Sequence, residues 1–119
     1  MNVAVLGASA KPERYSHQAV AQLKANGHVV FPVHPAVPEI LGIPVQARLA
    51  DIRAPLDTVT VYLSADKSAA LAEELQRARP RRVIFNPGAE NPALATSLRQ
   101  HGIETLDACT LVLLASGQF

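Results

Sequence analysis

Residues suited to hold an anion are concentrated in one short segment near the start of the chain. Small side chains, two cations and two hydroxyl groups follow one another there: Gly7, Ala8, Ser9, Lys11, Arg14 and Ser16. Small residues allow a ligand to approach the backbone closely, and an arginine can hold a phosphate with two hydrogen bonds. The segment therefore predicts a binding site for a phosphate or pyrophosphate group. An ordinary strand-to-helix loop with surface charges is the alternative.

The same segment departs from the glycine pattern of dinucleotide-binding loops. That pattern, G-x-G-x-x-G, requires a second and a third glycine, and Ser9 and Pro12 stand in their places. The acidic residue that holds the ribose of NAD at the end of the second strand is replaced by His34. NAD is therefore a less favoured ligand, although an enzyme that depends on NAD(P) or another nucleotide remains an alternative.

Two later turns allow both a functional and a structural interpretation. His34-Pro35 either forms part of the wall around a nucleoside or is a simple turn beside a proline, and the sequence leaves both open. The turn at residues 86–89 contains Pro87 and Gly88. It either presents its backbone to a ligand or serves only as the entry to a helix, and its position favours contact with the ligand.

The sequence predicts no catalytic residue and no metal site. Cys109 has no base close to it in sequence, so a buried structural thiol is favoured over a nucleophile. The four histidines do not show the spacing of metal ligands. A single cysteine also excludes an internal disulfide framework.

The elements that position these residues alternate between strands and helices. Short apolar runs predict strands at residues 3–6, 28–33, 58–63, 82–86 and 103–106, with a further short strand at 43–45. Helical periodicity predicts helices at residues 16–26, 65–78 and 92–101. Ser16 and Asn91 are the expected N-caps of the first and last helices.

This alternation is typical of the α/β class, with an open, five-stranded parallel sheet covered by helices on both faces in three layers. We expect the strand order 3-2-1-4-5 and one domain over residues 1–119. Ligands of such sheets bind beyond the carboxyl ends of the strands, where the strand order reverses. That point lies between the first and fourth strands, where we expect four loops to meet: residues 7–16, 33–35, 63–67 and 86–91.

Composition excludes several classes of protein. The chain has 119 residues, 49% of them hydrophobic, and a formal net charge of +1. The arginines at 77, 79, 81 and 82 have no interleaved aromatic residues, so we expect a solvated helix end rather than a nucleic-acid site. No apolar run reaches the roughly 18 residues of a membrane span, and residues 2–6 are too short for a signal-peptide core. We therefore expect a cytoplasmic protein without nucleic-acid or membrane partners; no protein partner is indicated.

Several stretches resemble one known family in the same order. Residues 3–16 (VAVLGASAKPERYS) resemble the opening of the small bacterial CoA-binding proteins, and four later stretches match it also: GHVVFPVHP (27–35), DTVTVY (57–62), VIFNPGAEN (83–91) and DAC (107–109). The resemblance extends over nearly the whole chain. The same fold resembles the N-terminal CoA-binding domain of the succinyl-CoA synthetase α-subunit.

This resemblance implies a single Rossmann-like domain with coenzyme A, or an acyl-CoA, at the point where the strand order reverses. Gly7, Ala8 and Ser9 would meet the phosphates, and Arg14 and Ser16 would support them. Val33 and Pro35 would flank the adenosine, with Pro87 and Gly88 on the other side of the ligand.

The chain departs from the family at two positions. The family usually has Asn-Pro where His34-Pro35 stands, and an arginine where Ala108 precedes the cysteine. The phosphohistidine of the synthetase belongs to a separate domain, so the resemblance implies binding and not ligase activity. A module that uses the fold for protein interaction without a ligand is the remaining alternative.

Overall fold

The computed structural model describes all 119 residues and contains a five-stranded parallel sheet and a small two-stranded one. The strands in chain order are β1 (Asn2–Leu6), β2 (Val29–Val33), β3 (Glu39–Ile40), β4 (Ile43–Pro44), β5 (Thr58–Val61), β6 (Arg82–Phe85) and β7 (Glu104–Asp107). The five predicted strands of the main sheet are all present. The α/β class and the parallel sheet are confirmed.

The order of the main sheet is β2-β1-β5-β6-β7. It matches the predicted 3-2-1-4-5 when the short segment after β2 is counted as the third strand, because Gln46 forms a parallel bridge with Val33 on the outer side of β2. β5 and β6 then take the fourth and fifth positions. Counted over the main sheet alone, the order reads 2-1-3-4-5, and in both counts the order reverses between β1 and β5.

Five helices accompany the strands: α1 (Tyr15–Ala25), α2 (Ala65–Ala69), α3 (Ala72–Ala78), α4 (Pro92–Gln100) and α5 (Thr110–Ala115). The prediction of one helix over residues 65–78 was wrong. The amide of Leu71 donates to the carbonyl of Ser68, three residues back, and this tight turn separates α2 from α3. The apolar residues after Cys109 form the helix α5, for which the sequence predicted no element.

The N-cap of α4 is confirmed and that of α1 is corrected. Asn91 accepts a hydrogen bond from the amide of Leu94, with Pro92 at the first helical position. Ser16 instead lies inside the first turn of α1, since Arg14 occupies the N-cap position and no side chain caps this helix. The start of α1 therefore keeps its backbone amides uncapped by any side chain.

The sheet separates two hydrophobic clusters, one on each face. The larger has 15 buried residues, including Val59, Val61 and Phe85, and receives α3 and α4. The smaller has seven, including Val3, Val5 and Val20, and lies beneath α1. Side chains alternate along a strand, so Thr58 and Thr60 of β5 point away from the larger cluster. No helix of the chain is both long and apolar enough to span a membrane.

The hairpin of β3 and β4 closes the loop after β2. Leu41 and Gly42 connect the two strands with φ values of 52° and 78°, as in the tight turns that suit a two-residue hairpin. Lys24 of α1 donates to the carbonyl of Leu41 over 3.1 Å. These contacts hold residues 36–46 against α1 and the outer edge of β2.

Candidate functional site

Two adjoining clefts lie at the carboxyl end of the sheet, where the strand order reverses. One, which we call the basic cleft, has a volume of about 530 Å³ and is lined by Gly7, Ala8, Ser9, Lys11, Arg14, Tyr15, Ser16, His34, Tyr62, Leu63, Lys67 and Pro87. The other, the leucine cleft, has a volume of about 430 Å³ and is lined by Leu6, Gly7, Val33, His34, Pro35, Ala47, Arg48, Leu49, Leu63, Lys67, Leu71 and Glu74. The four loops expected to meet each contribute to this surface.

Gly7 is needed where the loop after β1 passes close to the chain that follows β5. Its φ is +84°, and a Cβ atom placed there would lie 2.8 Å from Cδ2 of Leu63 and 3.3 Å from the carbonyl carbon of Tyr62. The amides of Gly7 and Ala8 both donate to the carbonyl of Val33 over 3.2 Å. These two amides are therefore not available to bind a ligand. Gly7 and Ala8 contribute to the cleft through their small size, which leaves space for a ligand close to the backbone.

Ser9 and the first residues of α1 also line the basic cleft. The amide of Ser9 makes no hydrogen bond within the protein, while its hydroxyl accepts from the amide of Lys11 and its carbonyl contacts Nδ1 of His17. Tyr15 and Ser16 supply the first, uncapped turn of α1. The start of a helix carries partial positive charge and unsatisfied amides, which together favour an anion.

Three cations that line the basic cleft are free of protein partners. Lys11, Arg14 and Lys67 form neither an ion pair nor a side-chain hydrogen bond, whereas Arg48 pairs with Glu74 over 3.1 Å. No carboxylate lines the basic cleft, and Glu74 is the one carboxylate in the leucine cleft. The basic cleft therefore carries unneutralised positive charge that a phosphate group could meet.

His34 lies on the border that the two clefts share. Its Nδ1 accepts a hydrogen bond from the amide of Ala36 over 3.0 Å. A neutral imidazole that accepts at Nδ1 carries its proton at Nε2. The ring thus offers one N–H donor in addition to the bond that shapes the turn, and Val33 and Pro35 on either side of it line the leucine cleft.

The turn after β6 contributes one of its two predicted residues to the clefts. Pro87 lines the basic cleft, but Gly88 lines neither. Gly88 has a φ of +89°, and its amide donates to the carboxylate of Glu90 over 2.9 Å. Gly88 therefore shapes the turn that places Pro87. The predicted direct contact of Gly88 with a ligand stays a prediction, because Gly88 lines neither cleft.

Asn86 anchors that turn through a buried polar network. Its amide nitrogen donates to the hydroxyl of Thr60 over 2.7 Å and to the carbonyl of Val61 over 3.0 Å. Its oxygen accepts from the amide of Thr110 over 2.8 Å, and the hydroxyls of Thr60 and Thr110 lie 2.7 Å apart. One side chain thus ties β5, β6 and the start of α5 together beneath the basic cleft.

Lys67 and Tyr62 are among the cleft residues that the sequence did not indicate as site residues. Lys67 lies in α2 and lines both clefts; a cation in the first turn after a central strand was the available signal. Tyr62 lines the basic cleft with its ring while its hydroxyl is buried without a hydrogen-bond partner. Burial, and more weakly the Cys109 thiol, raise the pKa of Tyr62 to about 12, although the hydroxyls of Thr60 and Thr110 act in the opposite direction.

The other sequence candidates lie away from these clefts. Cys109 is half-buried at the start of α5, and no group of three or more His, Cys, Asp or Glu residues is placed to hold a metal ion. The clustered arginines have separate partners: Arg77 pairs with Glu73, Arg81 pairs with Asp57, and Arg82 is buried with its guanidinium carbon 4.5 Å from the ring centre of Phe119.

Comparison with known proteins adds a family and several similar folds. A family model described as CoA binding domain matches residues 1–115. The uncharacterized protein YneT of Bacillus subtilis is 33% identical over 72 residues, which are 60% of this chain and 53% of the relative. The aligned region thus spans about half the length of that curated relative.

Solved structures extend the similarity over nearly the whole chain. The crystal structure of an uncharacterized protein has 36% identity and a TM-score of 0.89, covering 99% of this chain and 97% of the other. The dinucleotide-forming acetyl-coenzyme A synthetase 1 of Candidatus Korarchaeum cryptofilum, solved with phosphate and ADP, has 20% identity and a TM-score of 0.77. It covers 90% of this chain and 25% of the synthetase, so this second likeness is one of fold.

Proposed function

The chain belongs to the CoA-binding domain family, and on this premise we propose that it binds coenzyme A or an acyl-CoA in the two clefts at the carboxyl end of the sheet. The observation that carries the proposal is the set of unpaired cations beside the uncapped start of α1. Lys11 and Arg14 have no partner within the protein. A pyrophosphate supplies the negative charge that this cleft lacks.

The leucine cleft is suited to the adenine end of the ligand. Its wall is formed by apolar side chains, including Leu49 and Leu71, with the ion pair of Arg48 and Glu74 at its edge. A purine base is flat and largely apolar on its faces, and such ligands fill concave sites lined by apolar side chains with a few polar groups. In this arrangement Val33 and Pro35 flank the adenosine.

The pantetheine arm would leave the basic cleft on the side of Pro87 and Tyr62. Both residues line that cleft, and neither presents a charge, because the pKa of Tyr62 is raised to about 12. This side of the cleft is suited to the uncharged amide chain of the arm. The proposal places the thiol or acyl group beyond this edge and names no acyl group.

We propose binding without catalysis by this chain. The phenol of Tyr62 stays protonated near neutral pH, and its hydroxyl is buried away from the cleft surface. Cys109 lines neither cleft. The groups that face the proposed ligand are suited to holding phosphates, and none forms the nucleophile-and-base pair that acyl transfer requires.

The proposal is tested by calorimetric titration of the ligand-free protein with coenzyme A, acetyl-CoA, NAD and NADP in parallel. Saturable binding of coenzyme A or acetyl-CoA, well above both dinucleotides, is the expected result. Binding of NAD or NADP alone would instead indicate a nucleotide-dependent enzyme. If none of the four binds, the proposal is wrong and an interaction module becomes the better interpretation.

A further inference from the structure

The border between the two clefts is formed by four residues that line both of them. These are Gly7, His34, Leu63 and Lys67. Gly7 and Leu63 pack closely against each other, so they supply shape and no polar group. The chemistry of the border therefore rests on His34 and Lys67.

Lys67 is the source of net charge at this border. Its side chain is exposed and forms neither an ion pair nor a hydrogen bond. The nearest carboxylate in the clefts belongs to Glu74, and that group is already occupied: it accepts from Arg48 over 3.1 Å and from the amide of Ala50 over 3.2 Å. The Arg48–Glu74 pair is neutral overall, which leaves the Lys67 charge uncompensated.

His34 adds a donor of fixed direction to that cation. Because Nδ1 accepts from the amide of Ala36, the remaining N–H of the neutral ring is at Nε2. The border thus combines a mobile ammonium group with an imidazole N–H whose ring is held by the backbone. An ammonium group and an N–H donor that act together are a suitable pair for a phosphate.

The covalent structure of coenzyme A predicts a phosphate at this border when the two clefts hold its base and its pyrophosphate. Its ribose connects the adenine to the pyrophosphate and carries a separate 3′-phosphate. If the base occupies the leucine cleft and the pyrophosphate occupies the basic cleft, as in the proposed function, the ribose must cross the border between them. We propose that Lys67 and Nε2 of His34 bind the 3′-phosphate, so that this site selects 3′-phosphorylated adenine nucleotides.

This inference rests on the proposed function, and it predicts in addition that ligands with a 3′-phosphate bind more tightly than ligands without one. Dephospho-CoA has the same base, pyrophosphate and pantetheine arm and lacks the 3′-phosphate alone. Adenosine 3′,5′-bisphosphate and adenosine 2′,5′-bisphosphate differ only in the position of one phosphate on the ribose. These two pairs of ligands separate recognition of the 3′-phosphate from a general attraction for anions.

The test titrates the protein with all four ligands and repeats the titrations with Lys67→Gln. Lys24→Gln is the matched control, since it removes the same charge from the far end of α1, where Lys24 contacts Leu41. We expect the intact protein to bind coenzyme A at least about tenfold more tightly than dephospho-CoA, and the 3′,5′-bisphosphate more tightly than the 2′,5′-isomer. Lys67→Gln should weaken coenzyme A by about tenfold or more and change dephospho-CoA by less than about twofold.

Four outcomes would overturn the inference. Equal weakening of coenzyme A and dephospho-CoA by Lys67→Gln would assign Lys67 to the pyrophosphate or to general attraction. An equal effect of Lys24→Gln would show that only net charge matters. If the intact protein binds dephospho-CoA as tightly as coenzyme A, the site does not read the 3′-phosphate although the proposed function stands; if it binds neither, the proposed function fails as well.

Discussion

Nδ1 of His34 accepts a hydrogen bond from the backbone amide of Ala36 over 3.0 Å. An asparagine at the same position could accept this bond through its side-chain oxygen, as asparagine does in turns of this kind. The histidine therefore supports the turn as an asparagine would. It differs in adding an imidazole N–H at the border of the two clefts.

This relationship predicts different outcomes for two substitutions of His34. His34→Asn should leave the free energy of unfolding within about 0.5 kcal/mol, because the turn keeps its acceptor, while His34→Ala should lower it by about 0.5–1.5 kcal/mol. His34→Ala should also weaken coenzyme A, because it removes the Nε2 donor without a replacement, whereas the amide NH2 group of asparagine is itself a donor. Urea unfolding and calorimetry check the two parts; equal stability of the two variants would contradict the role in the turn.

Gly7 should tolerate alanine poorly for two separable reasons. Its positive φ disfavours any side chain, and a Cβ atom would lie 2.8 Å from Cδ2 of Leu63. Gly102 has a similar φ of +79° with open space around it, so Gly102→Ala measures the conformational effect alone, about 1–3 kcal/mol. Gly7→Ala should exceed that loss by about 1–3 kcal/mol because of the steric contact.

Thermal and urea unfolding of the two glycine variants provide the comparison. The double variant Gly7→Ala with Leu63→Ala should recover part of the steric loss if Leu63 is the obstacle. Indistinguishable losses for Gly7→Ala and Gly102→Ala would show that the loop shifts freely and that close packing against Leu63 is unimportant.

Arg14 should contribute directly to binding the phosphates. Arg14→Ala is expected to weaken coenzyme A by about 1.5–3 kcal/mol, the usual effect of losing a charge-assisted hydrogen bond. Arg53→Ala is the matched control, since Arg53 is exposed, unpaired and outside both clefts. Calorimetry at two salt concentrations makes the comparison, and equal affinities for the two variants would remove Arg14 from the site.

The contrast between Asn91 and Lys67 shows what the sequence could predict. Asn91 followed by Pro92 is a local pattern for the start of a helix, and the structure confirms it. The same residue also acts at long range, because the Asn91 side chain donates to the carbonyl of Ala65 and the hydroxyl of Ser68 in α2. No local pattern in residues 65–78 reveals such a distant partner.

The candidate site also contains a part that the sequence could predict and a part that it could not. The segment of residues 7–16 could be located because its glycine, cations and hydroxyls are adjacent in sequence. The sequence did not indicate Lys67, because this residue belongs to the candidate site only through its position between the two clefts. That position depends on the packing of β1, β2 and β5. Likewise α5 has no polar face that marks it as a helix, and its start is fixed by a bond from Thr110 to Asn86, 24 residues earlier.

Asp57 should make the stability of the protein depend on pH at the acidic end. Hydrogen bonds from Arg81, at 3.0 and 3.3 Å, lower the pKa of this carboxyl below its ordinary value of 3.8. The stabilisation is therefore present above the unfolded pKa and is lost as the pH falls through the lower, folded pKa. Urea unfolding between pH 7 and pH 2 should show this loss, and Arg81→Met should reduce it; an unchanged profile in that variant would contradict the assignment.

Asn86 should couple the stability of α5 to the shape of the basic cleft. Asn86→Ala removes its buried bonds to Thr60, Val61 and Thr110 and leaves the amide of Thr110 without a partner, so the free energy of unfolding should fall by about 2–4 kcal/mol. Asn26→Ala is the control, because its side-chain bond to Gln22 is exposed and its loss should cost less than about 1 kcal/mol.

Hydrogen exchange separates this local coupling from general destabilisation. In Asn86→Ala, the amides of α5 should lose protection first, since Asn86 holds the amide of Thr110 at the start of that helix. Binding of coenzyme A should weaken in the same variant, because the turn that places Pro87 in the basic cleft begins at Asn86. If α5 keeps the protection of the intact protein, the network does not anchor this helix, and the effect of the substitution on binding must come from the turn alone.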